Sequence, residues 1–217
     1  GNSLEAKQLM ISSKTEIPHS YIETELIVNP IESFLKHYIE SKNYMTILPI
    51  VIKAVGESLI KHEYFNSYRA NSEIRIYKDI NIGIVIDLGD KLAVPIVKNV
   101  TGKSIDQILR DILEMRKGLL QNKIDYHNLV SGTFTISALD HTDVIRFYPI
   151  IHPGQAAVLG FPKSSHKLDI NEEGEIIKNK VTNLGLSFDH SYLNASMAMN
   201  FLNTVVIEIE NIISDKS

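Results

Sequence analysis

Ser187-Phe188-Asp189-His190-Ser191-Tyr192-Leu193-Asn194-Ala195 lies where two periodicities meet. The run before it, Lys178 to Phe188, reads as a strand that delivers a histidine at its end. After it, Asn194 to Ile213 carries Met197, Phe201, Thr204, Val205 and Ile209 at helical spacing. A polar side chain at a strand-to-helix junction can face a cleft while the backbone holds it still, so His190 is the first candidate for acid–base chemistry. Position alone is a weak signal, because the chain has 8 histidines and one at a strand end is more often a surface or capping residue.

Upstream, Ile22, Thr24, Leu26 and Val28 alternate with Tyr21, Glu23, Glu25 and Ile27, the period of a half-buried strand. Asn29-Pro30 predicts a helix N-cap and first helical residue, and Thr46 predicts the cap of a second helix, with Pro49 tolerated in its first turn. A short strand is expected around Ile74 to Tyr77. Two more, Ile80 to Ile86 and Leu92 to Val97, form a hairpin candidate through Asp87 to Asp90, with Pro95 marking an edge or bulge. Ser104 and Gln107 form a capping box ahead of an apolar helical stripe, Ile105, Ile108, Leu109, Ile112, Met115 and Leu119, which is read as core packing. Thr133 to Leu139 and Gln155 to Phe161 read as strands, Asp140 to Pro153 as an irregular link, and Asn171 to Gly174 as a turn. Strands interleaved with helices predict an α/β fold, a mixed β-sheet flanked by helices, in one domain spanning residues 4–217; Gly1-Asn2-Ser3 has the composition of a cloning remnant.

Composition narrows the function classes. A chain of 217 residues, 44% of them apolar, can bury one large core. Its net charge of −4 argues against nucleic acid as the main partner, since phosphate binding needs a basic surface. No apolar run reaches the ~18 residues of a membrane span, and no signal-peptide pattern opens the chain. The absence of cysteine removes thiol nucleophiles and thiolate metal sites and fits a reducing cytoplasm.

Several segments, in order, give the chain a wider resemblance. Ile17-Pro18-His19-Ser20-Tyr21, Asn81 to Asp87, Leu92 to Val97, Gly132-Thr133-Phe134-Thr135-Ile136-Ser137 and Ile150 to Gly160 resemble successive strands of the dihydrolipoamide acyltransferases of 2-oxo acid dehydrogenase complexes, which share a fold with chloramphenicol acetyltransferase. Asp189-His190-Ser191-Tyr192-Leu193-Asn194-Ala195 resembles that family's Asp-His-Arg-x-x-Asp-Gly signature, keeping the Asp-His pair and the helix that follows. The resemblance implies a chloramphenicol acetyltransferase-like, trimer-forming fold. It also implies acyl transfer between a dihydrolipoyl thioester on a separate carrier domain and coenzyme A, with no metal. On it, His190 is the general base that takes the thiol proton and Ser137, 53 positions earlier, donates to the oxyanion. In the family these two groups meet across a subunit boundary, so a homotrimer is the smallest complete unit. The cofactor-contacting residues are not assigned.

The signature is degenerate at Ser191, Asn194 and Ala195. The resemblance places an Arg near Ser3 as partner of the Asp that is here Asn194, and no Arg precedes Arg69, so both partners of that ion pair are absent. Losing one would strand a buried charge at about 3–5 kcal/mol, whereas losing both can be near neutral. Asn194 is counted with His190 and Ser137 among the catalytic candidates and is expected to hold the loop by amide hydrogen bonds. Three alternatives therefore stay open: a catalytically weak or inactive trimeric scaffold or interaction subunit, a standalone acyltransferase using an acyl carrier protein, or one using a small-molecule acceptor. No lipoyl or subunit-binding segment is expected in the chain, and its polar tail, Ser214 to Ser217, predicts an isolated trimer. A metal site at Asp140, His141, Asp143 and His152 is the least favoured reading, because such residues in loops are usually solvated.

Overall fold

The computed structural model describes residues 2–41, 44–87, 92–121 and 132–214. The chain opens with helix α1 (Asn2–Glu16), then strand β1 (His19–Ile27), α2 (Asn29–Ser41) and α3 (Ile47–Lys61). A small hairpin follows, β2 (Ser67–Ala70) and β3 (Glu73–Ile76), then β4 (Ile82–Asp87), β5 (Leu92–Ala93), β6 (Ile96–Val97) and α4 (Ile105–Leu120). The last part is β7 (Phe134–Leu139), β8 (Ala157–Pro162), β9 (Ser165–Ile170), β10 (Ile176–Asp189) and α5 (Ala195–Ser214).

The main sheet is mixed, as the alternation of patterns predicts. Its order is β1-β10-β8-β7-β4-β5, with β6 on β4 and β9 on β10. β4, β7 and β8 run parallel, while the pairs made by β1, β5, β6, β9 and β10 are antiparallel. β2 and β3 form a separate two-stranded sheet.

Alternation along the strands sends one set of side chains toward the helices. Leu26 of β1, Ile136 of β7, Leu159 of β8 and Leu184, Leu186 and Phe188 of β10 join Val55 of α3, Ile108 of α4 and Val205 of α5 in one core. Phe201 of α5 is its hub, stacked on Phe65 at 4.6 Å between centroids and tilted against Phe134 at 5.8 Å. The other set, Tyr21, Glu23 and Ser137 among them, points to the opposite face, where Arg146 and Tyr148 meet Glu23 and Tyr21.

β10 is the spine, paired with β1 from Val181 to Asp189 along one edge. On its other edge β8 and β9 follow each other. Gly160 faces Gly185 and Ser165 faces Val181, so five steps on one side match four on the other. That extra residue is a bulge. Pro162 lies in it, where a missing N–H does no harm, and its carbonyl accepts the Thr182 hydroxyl at 3.0 Å.

Several local expectations are altered. α1 was not expected, since Leu4 to Glu16 shows no apolar stripe; it is docked by the buried Ser13, whose hydroxyl donates to the Ile151 carbonyl at 2.5 Å. α2 begins at Asn29 itself, whose Oδ1 accepts the Lys180 N–H instead of capping the helix. Thr46 has cap geometry but makes no side-chain cap bond. β2 and β9 were missed, and the Leu92 to Val97 run is split at Val94-Pro95, the Pro95 carbonyl accepting the Ile84 N–H at 2.9 Å. The Leu88 to Asp90 part of the expected hairpin turn and residues 215–217 of the polar tail lie outside the described residues. The capping box is present with both bonds, at 2.8 and 3.3 Å. No described helix is long and apolar enough to cross a membrane.

Candidate active site

The end of β10 and the start of α5 enclose a short loop fixed mainly through its backbone. Asp189 is 3% exposed, and its Oδ1 accepts the Ser191 N–H at 2.9 Å while its carbonyl accepts the Leu193 N–H at 3.0 Å. The His190 N–H donates to the Pro18 carbonyl at 2.9 Å, tying the loop to the start of β1. The His190 ring is exposed, 5.5 Å from the Phe188 ring between centroids, and makes no side-chain hydrogen bond among the described residues. Its point of attachment is therefore set by the backbone beneath it.

Asn194 ends the loop as the N-cap of α5. Its Oδ1 accepts the Met197 N–H at 2.9 Å, three residues into the helix, so the amide does hold the loop. Tyr192, in the middle, is half-buried, and burial pushes its phenol above the ordinary range. Its hydroxyl lies 3.1 Å from that of Ser67, whose own proton goes to the Tyr64 carbonyl at 2.6 Å. Tyr192 is thus the donor of the pair. Two neighbouring histidines have fixed backbone partners. His19 uses Nδ1 toward the Ile17 carbonyl at 2.9 Å and Nε2 as acceptor for the Ile151 N–H at 3.1 Å. His152 Nδ1 faces the Pro153 carbonyl at 2.9 Å.

Ser137 stands elsewhere on the sheet. It is half-buried on the face of β7 turned away from the core, opposite Gly160 of β8 and Val85 of β4. Gly160 in turn faces Gly185, five residues before His190. At about 3.3 Å per residue and about 4.8 Å per strand, two strands and five residues separate Ser137 from His190 by roughly 19 Å. One protomer does not bring the serine and the histidine together.

A cleft of about 150 Å³ opens beside Asp189, between α1, the β2 strand and the turn before β8, with Glu16, Tyr68, Arg69, Gly154 and Gln155 in its walls. Gln155 is 6% exposed and locked by Thr135, which donates to its Oε1 at 2.7 Å, and by its own Nε2 donating to the Gly132 carbonyl at 3.0 Å. The residues that sequence reasoning missed, Ser67, Tyr192 and Gln155, are ordinary polar types whose partners are remote in the chain, so no local signal marks them. At the other loop, His141 Nδ1 is 3.7 Å from Asp140 Oδ1 and Asp143 pairs with Lys163. Among the described residues no three His, Cys, Asp or Glu side chains gather as metal ligands.

This mixed sheet with a histidine-bearing loop opening its last helix belongs to a class with known members. The family model "2-oxoacid dehydrogenases acyltransferase (catalytic domain)" matches residues 5–214, and the chain belongs to that family. It is 34% identical over 195 residues to the dihydrolipoyllysine-residue acetyltransferase component of pyruvate dehydrogenase complex from Buchnera aphidicola (subsp. Schizaphis graminum), covering 86% of this chain and 48% of the relative. The chain spans about half the length of the curated relatives it matches. Among solved structures, a probable dihydrolipoamide acetyltransferase from Listeria monocytogenes superposes with a TM-score of 0.91 at 29% identity, over 98% of this chain and 92% of that one. Azotobacter vinelandii dihydrolipoamide acetyltransferase gives 0.90 at 24% identity, over 97% and 88%. A chloramphenicol acetyltransferase gives 0.55 at 12% identity, over 95% and 94%, a likeness of fold alone that agrees with the expected architecture.

Proposed function

We propose that the chain is the acyl-transferring unit of a 2-oxo acid dehydrogenase complex component, moving an acyl group between a dihydrolipoyl thioester on a separate carrier domain and coenzyme A. A thiol with a pKa of about 8.5 is mostly protonated at neutral pH, yet the thiolate is what attacks. Neutral His190 takes the coenzyme A thiol proton as sulfur attacks the thioester carbonyl carbon. The resulting oxyanion accepts a hydrogen bond from the Ser137 hydroxyl of a neighbouring copy. Collapse breaks the bond to the dihydrolipoyl sulfur, which leaves as a thiol after taking the proton back from the imidazolium. Proton relay of this kind is typically worth about 10²–10⁴-fold and a fixed oxyanion donor about 10²–10³-fold.

The observation that carries this reading is the exposed His190 ring on a loop pinned at Pro18, Asp189 and Asn194. A catalytic base needs an open ring and a rigid mount. Asn194 adds support. The mechanistic study of the Azotobacter enzyme names a serine, a histidine and an asparagine, with the asparagine four positions after the histidine, the spacing of His190 and Asn194. That parallel favours a working site over a scaffold. Asn194 also has its Nδ2 group without a partner among the described residues, available to a substrate.

The assembly we infer is a homotrimer, as the family resemblance implies; the distance between Ser137 and His190 within one chain fits a site shared between copies. The hairpin of β9 and β10 supports it, since Leu168, Ile170 and Ile176, side by side on one face, are 69%, 70% and 74% exposed. Apolar surface of this kind on a protruding element marks a contact with another chain. Steady-state turnover with coenzyme A and an acylated lipoyl domain tests the proposal, with the cytoplasm as the expected setting. The wild type turns over and His190→Ala loses at least 10²-fold in kcat while keeping its oligomeric state. A wild type silent with lipoyl, carrier-protein and small-molecule acceptors would count for the scaffold.

A further inference from the structure

We infer that Tyr192 is a positioning residue for His190, acting through a latch to Ser67 on the β2–β3 hairpin. The inference rests on His190 being the acid–base group.

The His190 ring has no side-chain hydrogen bond of its own among the described residues, so anything that shifts the loop backbone shifts the ring. Other ties within or beside the loop run from Pro18 to His190, from Asp189 to Ser191 and Leu193, and from Asn194 to α5. Among the described residues, Tyr192 is the loop residue whose side chain hydrogen-bonds to a distant element. Its donor role is forced, because the Ser67 proton is already committed to the Tyr64 carbonyl at 2.6 Å, leaving the Ser67 oxygen to accept at 3.1 Å.

The anchor at the far end is rigid. Ser67 is fully buried. Next to it, Asn66 Nδ2 donates to the Tyr77 and Asp79 carbonyls, both at 3.1 Å, and the Tyr77 N–H returns to the Asn66 carbonyl at 2.9 Å. The Tyr77 hydroxyl then donates to the Gly154 carbonyl at 2.8 Å, and Gly154 lines the cleft beside Asp189. The hairpin therefore grips both walls of the cleft, the catalytic loop through Tyr192 and the turn before β8 through Tyr77. A phenol suits this task because it spans the gap with only two rotatable side-chain bonds and a directional end.

Four variants test it in the assembled protein: Tyr192→Phe, Ser67→Ala, the double variant, and Tyr192→Phe added to His190→Ala. Each is assayed for kcat, for KM toward coenzyme A and acylated lipoyl domain, and for Tm. Misplacement of a base by about 1 Å costs as much as 10²-fold, so a roughly tenfold fall in kcat is expected for Tyr192→Phe, with both KM values within twofold of wild type. Ser67→Ala reproduces the fall, and the double variant is no worse than either single change. On the His190→Ala background, Tyr192→Phe has no further effect on turnover, an outcome that general loosening of the fold would not give. The inference is overturned if Tyr192→Phe keeps wild-type kcat, if its loss merely follows a lowered Tm, or if it costs the same tenfold without His190. Full activity in His190→Ala alone would instead remove the reading on which the latch rests.

Discussion

Tyr21 lies so close over Gly185 that a Cβ at residue 185 would fall 2.1 Å from the tyrosine hydroxyl oxygen and 2.8 Å from its ring. The two sit on neighbouring strands, where Tyr21 meets Tyr148 edge-on at 4.3 Å and donates to Glu23 at 3.1 Å. Gly185→Ala must push the ring out of that setting. Overpacking of this kind costs about 1–3 kcal/mol, and it is expected to appear as a lowered urea midpoint. Adding Tyr21→Ala to Gly185→Ala recovers part of the loss, because the clash is then gone. A double variant no better than the sum of the two single changes would refute the steric account.

Asn194 separates two roles. As the cap of α5, its replacement by Ala is expected to cost about 1 kcal/mol, whereas Asp accepts the Met197 N–H equally well and keeps the stability. Asp has no N–H to offer a substrate. Asn194→Asp is therefore predicted to unfold like the wild type yet turn over more slowly, and thermal melts beside kcat measurements check both halves.

Subunit complementation follows from the roughly 19 Å between Ser137 and His190 along one sheet. Chains carrying Ser137→Ala or His190→Ala are each nearly inactive alone. In the proposed homotrimer, co-expression in equal amounts gives mixed assemblies in which about a quarter of the interfaces join an intact serine to an intact histidine, and about that share of wild-type turnover is expected to return. Mixed trimers as dead as the parents would place both groups in the same subunit.

His62, at the C-terminal end of α3, is predicted to make the fold acid-sensitive. Burial, and then the Lys61 charge, lower its pKa from 6.5; its Nε2 lies 2.8 Å from the Thr204 hydroxyl, whose own proton goes to the Asn200 carbonyl, and its ring packs edge-on to Phe201. Lys61 itself pairs with the buried Glu208 at 2.6 Å. Below pH 6.5 the unfolded chain binds the proton more readily than the folded one. The stabilisation is therefore complete above about 6.5 and is lost as the pH falls through that value toward the lowered one. Urea midpoints at pH 7.5 and 5.5 should draw closer together in His62→Asn than in the wild type.

Much of the architecture is legible in local pattern. Alternation in β1 correctly puts Leu26 and Val28 inside and leaves Ile27 half exposed, and the Ser104–Gln107 box opens α4 as its spacing demands. The resemblance located the loop of His190, and the strand and helix around it stand within a residue or two of the expected limits. What stayed hidden depends on contacts between remote parts of the chain. α1 has no stripe to announce it and is recruited by Ser13 reaching Ile151, 138 residues away. Tyr192 and Ser67 are 125 residues apart, and nothing in either neighbourhood foretells their bond. Asn29 has the composition of a cap but spends its oxygen on Lys180, because β10 passes close enough to compete.

The extra residue between β8 and β9 also resets which side chains look which way. In β8 the odd-numbered positions, Leu159 and Phe161, are turned toward the helices. Past Pro162 the even-numbered positions take over, pairing Leu168 with Lys178 and Ile170 with Ile176. Removing one residue from Lys163-Ser164 would reverse that frame, turning Leu168 and Ile170 to the opposite side and exchanging them for Lys167 and Asp169. A single peptide unit thus decides whether the protruding arm offers another chain a greasy grip or a pair of charges.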